Sequence, residues 1–97
     1  MEGNMKTVRR YPICLKNDQI IPLPKSAKVL SVTGGLSAFA GVALHVLVEA
    51  SESDIENWRI KTCRDSDKRN DLISSSFIGT VVLLNDNLAY HVFANKE

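Results

Sequence analysis

The chain has 97 residues, of which 44% are apolar and 24% charged, and a formal net charge of +1. That length makes a single domain, residues 1–97, with enough chain to bury one core. The near-zero charge excludes a nucleic-acid-binding arm, and no sequence-specific nucleic-acid partner is expected. Acids and bases are interspersed except near the N-terminus, where Lys6, Arg9 and Arg10 are opposed only by Glu2.

Residues 1–6 read as a frayed end. Residues 7–15 alternate, with Arg9, Tyr11, Ile13 and Leu15 on one side. Pro12 cannot donate to a ladder, so this is an edge strand or one with a bulge at the proline. Residues 19–24 are extended, because Pro22 and Pro24 each push their predecessor out of the helical region. Residues 28–32 form a short strand, which Gly34 and Gly35 end.

The run 36–50 is nearly all apolar and ambiguous. Leu36, Phe39, Ala40, Ala43, Leu44 and Leu47 fit a helical stripe. Val42, Leu44, Val46 and Val48 alternate with period two, and β-branched residues fill the second half. We read a central strand over about residues 39–49, buried on both faces. A membrane span needs about twenty apolar residues. This run is shorter and ends at Glu49, so no membrane partner is expected.

Residues 55–63 alternate cleanly. Trp58 and Ile60 are predicted to face the core, and Arg59 and Lys61 to face water. Residues 64–76 are polar and charged. A structureless loop of that length is uncommon in a compact domain unless it has a function or is disordered. A short helix within 65–75, capped by Asp65 or Ser66 and docking Leu72 and Ile73, is the other reading. Residues 77–94 are two β-prone runs around Asn85, Asp86 and Asn87, which tolerate φ > 0 and mark a hairpin turn. The fold class is therefore all-β and mainly antiparallel, as a small sandwich or a partly open barrel.

Candidate chemistry is sparse. Gly35, Leu36, Ser37, Ala38 and Phe39 begin like a nucleophile elbow but lack the closing glycine. Cys14, His45, Cys63 and His91 are all far apart in sequence, whereas structural zinc draws on close-spaced ligand pairs. No catalytic residue, metal or cofactor is expected. The apolar h-region of a secretory leader is absent from the first fifteen residues, so a reducing cytoplasm and free cysteines are expected.

What remains is binding. Arg9, Arg10, Arg59, Lys61 and Arg64 would form a basic strip if the first and fifth strands were close. An arginine fork suits phosphate or carboxylate. Trp58, Tyr90 or Tyr11 would offer a stacking face for a base. The structural alternative makes Trp58 core, Tyr90 and His91 cross-strand partners, and the arginines edge protection.

Residues 20–32, from Ile20 through Pro24, Lys25, Ala27 and Lys28 to Val32, resemble a P-K-G-A-K-I-L-S-V signature. Phe77, Ile78, Gly79 and Thr80 resemble Y-I-G-T, and Tyr90, His91, Val92 and Phe93 resemble W-H-V-F. In that order these segments resemble a family of small uncharacterised β-rich proteins encoded by bacteriophages and prophage-carrying bacterial genomes. Ser26 stands where the family has glycine, and Tyr90 where it has tryptophan. Lys61, Thr62, Cys63 and Arg64 replace a Gly-Thr-Gly-like turn. The resemblance implies a non-enzymatic phage-type accessory protein in the cytoplasm of an infected bacterial host.

Three functions are weighed. The first is capture and sequestration of a small anionic, nucleotide-like ligand, such as an immune signal of a host anti-phage defence system. Homo-oligomerisation is expected with it, because a small domain with edge strands gains stability by pairing. The second is a protein-interaction module that inhibits a host defence enzyme or scaffolds a phage complex. The third, a small hydrolase, ranks last because no nucleophile–base pair can be named.

Overall fold

The computed structural model describes residues 5–15, 18–37, 41–69, 72, 75–84 and 88–97. Seven strands lie among them: β1 (Lys6–Pro12), β2 (Gln19–Pro24), β3 (Lys28–Thr33), β4 (Ala43–Glu49), β5 (Ile55–Arg64), β6 (Ser76–Val82) and β7 (Ala89–Lys96). They form two antiparallel sheets, ordered β1-β4-β3 and β2-β5-β7-β6. The all-β, antiparallel expectation holds, and neither sheet closes into a barrel. Between 65 and 75 the described positions carry no α-helix, and Leu72 has 3-10 helical conformation. The rest of that stretch, with Ile73, lies outside the described residues, as does the hairpin turn 85–87.

The ambiguous run resolves as strand, beginning at Ala43 rather than near residue 39. β4 is the centre of its sheet, paired with β1 on one side and β3 on the other. Leu44, Val46 and Val48 point inward and are sealed from water. From the other sheet Leu23, Ile60, Val81, Val92 and Ala94 meet them in one apolar cluster. Fully burying each Leu, Ile or Val side chain contributes roughly 1.5–3 kcal/mol, which is why the inward positions carry these types. β1 is an edge strand, as Pro12 requires, and the proline is its last residue.

The two sheets meet where β3 borders β6. A methyl group added at Gly79 would lie 3.1 Å from Val32 Cγ1, and one at Gly34 would lie 2.5 Å from Val81 Cγ1. The Leu84 N–H donates to the Gly35 carbonyl across this border at 3.3 Å. Small residues stand here because the two chains come too close for a side chain.

One connection is topologically demanding. β5 and β6 both run antiparallel to β7 and flank it, so they are parallel to each other. Parallel strands cannot be joined by a tight hairpin turn. The chain after Arg64 must travel back along the sheet to start β6 at Ser76, which shares a row with Ala94 and Ile60. The length of the polar loop 65–75 follows from this return path.

Candidate ligand-binding surfaces of the four-stranded sheet

β5 lies between β2 and β7, and its side chains alternate between the core and the outer face. Glu56, Trp58, Ile60 and Thr62 point inward; Asn57, Arg59, Lys61 and Cys63 point outward. Ile60 is fully buried and Trp58 packs against the core, as the alternation predicts. Lys61 departs from it. It was expected in water, yet it is only 7% exposed, and its neighbour Cys63 is also buried.

The described residues of the returning loop are fastened to this outer face at several points. Asp65 Oδ1 lies 2.6 Å from His91 Nε2. Arg69 donates to both carboxylate oxygens of Asp18, at 2.9 and 2.6 Å, and to the Thr62 carbonyl at 3.3 Å. Ser75 Oγ donates to Asn95 Oδ1 at 3.2 Å. Beneath it, His91 Nδ1 meets Thr80 Oγ1 at 2.9 Å, so Asp65, His91 and Thr80 form a chain of hydrogen bonds across β7 and β6. Cys63 is the direct cross-strand neighbour of His91, a pairing hidden by their distance in sequence. Neither cysteine is in a disulfide. No cluster of three or more metal-ligating side chains occurs among the described residues.

The inward side of β5 carries a different feature. Trp58 faces Lys96 directly across the ladder. Lys96 Nζ stands 5.9 Å from the centre of the indole ring and 3.4 Å from Glu56 Oε1. The indole Nε1 is buried without a hydrogen-bond partner among the described residues, as are Glu56 Oε1 and Thr62 Oγ1. A buried donor without an acceptor costs about 1–3 kcal/mol.

The structure separates the residues singled out from the sequence. Arg9 and Arg10 lie on β1, in the three-stranded sheet, and β1 pairs with β4 rather than with β5. The five-cation strip therefore does not assemble. Arg9 reaches the Ala50 carbonyl at 3.3 Å. Arg10 shares an outward row with His45 and Ser31, and His45 is bonded to Thr33. Arg59 pairs with Glu97 at 2.6 Å. Arg64 ends β5, opposite Tyr90, which packs against the core. Trp58 is the member of the set that shares a face with a further cation, Lys96, while Arg59 points to the opposite face of the sheet. Sequence reasoning missed Lys96 and Glu56. The period-two alternation placed Glu56 beside Trp58, whereas Lys96 needed the β5–β7 register.

No helix among the described residues is long and apolar enough to cross a membrane. No curated protein and no solved structure matches the chain. One family model does match, spanning residues 5–97. This chain belongs to the family described as Domain of unknown function (DUF7352).

Proposed function

We propose that this chain is a non-enzymatic binding protein that captures a small anionic ligand through the Trp58–Lys96 surface. The observation that carries the reading is the buried, unpaired indole N–H of Trp58 with the Lys96 ammonium beside it. A donor held out of water next to a cation favours an acceptor oxygen that bears negative charge, such as a phosphate or carboxylate. The resemblance of residues 20–32 and 77–93 to phage-encoded proteins supports a finer version. In it the ligand is a nucleotide immune signal, and the protein sequesters it in the infected bacterial cytoplasm, acting as a homo-oligomer.

Thermal denaturation tests this directly. A ligand at about one hundred times its Kd stabilises the folded state by roughly 2.7 kcal/mol through mass action. Cyclic nucleotides and adenosine-diphosphate-ribose derivatives are the probes, and a bound nucleotide recovered unchanged after denaturation distinguishes sequestration from hydrolysis. A flat melting response across the set overturns the ligand reading. Native mass spectrometry of the fresh protein reports the subunit count and any co-purified ligand together.

A second reading is a protein-interaction module that inhibits a host defence enzyme or scaffolds a phage complex. It draws support from the exposed apolar side chains of the β6 region, with Phe77 at 58%, Val82 at 55% and Leu84 at 79% exposure. Exposed apolar side chains along one strand and its continuation favour docking over solvation. If Leu84→Asp leaves every protein interaction of the chain intact, this patch is not the interface.

A further inference from the structure

The two sheets have four edge strands, β1, β3, β2 and β6. Three of them are closed to a new strand. β3 and β6 border each other through the Gly34–Val81 and Gly79–Val32 contacts. β2 contains Pro22 and Pro24, which have no N–H to offer. β1 remains. Among the described residues its hydrogen-bonded neighbour is β4, and Lys6, Thr7, Val8, Arg9 and Arg10 are exposed on both of its faces.

Its charge decides what can pair with it. Lys6, Val8 and Arg10 share one face with Leu47 and His45, and Arg9 lies on the other. β4 supplies a single acid to this edge, Glu49, already 3.7 Å from Lys6 Nζ. A second copy of β1 laid antiparallel about Val8 would set Lys6 against Arg10 twice over. Like charges directly opposite are destabilising, so the edge resists self-pairing. The same charges attract an acidic strand. Among the described residues no aromatic platform stands on this face for bases to stack on, which argues against single-stranded nucleic acid.

We propose that β1 is a docking edge for an extended acidic peptide that adds to the three-stranded sheet as a fourth strand. Main-chain hydrogen bonds supply the attachment and alternate side chains supply the choice. The register reads an acid opposite Arg10, an apolar residue opposite Val8 and an acid opposite Lys6, giving the pattern acid-x-apolar-x-acid. This surface is separate from Trp58, so the two proposals stand or fall independently.

The test uses the full chain and a fluorescent peptide, Thr-Glu-Thr-Val-Thr-Glu-Thr, followed by anisotropy. Saturable binding at least tenfold tighter than for the version with both Glu replaced by Lys is expected. Arg10→Glu should abolish that preference, Trp58→Phe should leave it unchanged, and the bound peptide should slow hydrogen exchange of β1 amides. Equal binding of the two peptides overturns the proposal, as does absence of saturation up to millimolar peptide. So does displacement of the peptide by a β1-mediated dimer in sedimentation, or preferential binding of a single-stranded oligonucleotide.

Discussion

Arg69 and Asp18 are 51 positions apart in sequence, yet two guanidinium nitrogens of one meet the two carboxylate oxygens of the other at 2.9 and 2.6 Å. The pair ties the middle of the returning loop to the residue that enters β2. Because Arg69 also donates to the Thr62 carbonyl, it spans the β5 backbone and holds the loop against the outer face. The fastening holds Arg69 at the Thr62 carbonyl, between the buried Lys61 and Cys63 in sequence, which makes this end of the loop the candidate cover for both.

Removing the fastening should open the cover before it unfolds the domain. Both side chains are partly exposed, at 25% and 32%. A pair in that setting contributes about 1 kcal/mol, bidentate geometry placing it at the upper end for surface pairs. In a Cys14→Ser background, Arg69→Ala should therefore raise the rate of Cys63 labelling by a thiol reagent several-fold, with a modest fall in the urea midpoint. An unchanged labelling rate would mean that the cover is held elsewhere.

The β3–β6 border is predicted to be intolerant of volume. In Gly34→Ala the new methyl would lie 2.5 Å from Val81 Cγ1, and Val81 is only 3% exposed, so it cannot swing into water. Overpacking of this kind costs about 1–3 kcal/mol. Adding Val81→Ala should recover part of the loss, because the second change removes the clashing atom. A double-mutant cycle in denaturant measures that coupling directly, and strict additivity would show that the clash is relieved by backbone movement.

Strand existence was legible because period-two alternation is a local property of the chain. Residues 55–63 show it plainly, and Pro12 marked an edge strand that the sheet order then bears out. What was not legible is anything set by sheet membership. Arg10 and Arg59 look equivalent in sequence, yet they lie in different sheets because β1 finds β4 rather than β5. Lys61 was misread for the same reason. Alternation says which face a residue takes, but what packs over that face decides whether it is wet. Trp58 could be singled out as an aromatic among cations, whereas Lys96 came into view only through a ladder joining strands far apart in sequence.

The turn that launches the loop stores a small strain. Ser66 has φ 74, a left-handed conformation that residues with a Cβ adopt at a cost of about 1–2 kcal/mol. It is held there by the Asp67 carboxylate, which accepts the Arg64 N–H at 2.7 Å, and by the Asp67 N–H donating to the Arg64 carbonyl. Glycine pays none of the steric cost but loses more chain entropy, roughly 0.5–1 kcal/mol, on folding. Ser66→Gly should thus raise stability by about 0.5 kcal/mol, read as a small upward shift of the melting midpoint. A downward shift would show that the serine side chain itself contributes to the turn.

Trp58→Phe separates folding from binding. The indole keeps its N–H buried without an acceptor, at a standing cost of about 1–3 kcal/mol. Phenylalanine preserves most of the apolar contact with the core while deleting that donor, and it weakens the Lys96 cation–π contact by about 0.5 kcal/mol. The relief outweighs the loss, so the unliganded variant should melt at or somewhat above the parent. Any stabilisation by an anionic ligand should be lost, because its acceptor oxygen would meet an aromatic edge instead of a donor. A variant that melts far below the parent would mean that the N–H is already paired in the folded protein. Full ligand stabilisation retained by Trp58→Phe would move the binding site away from this surface.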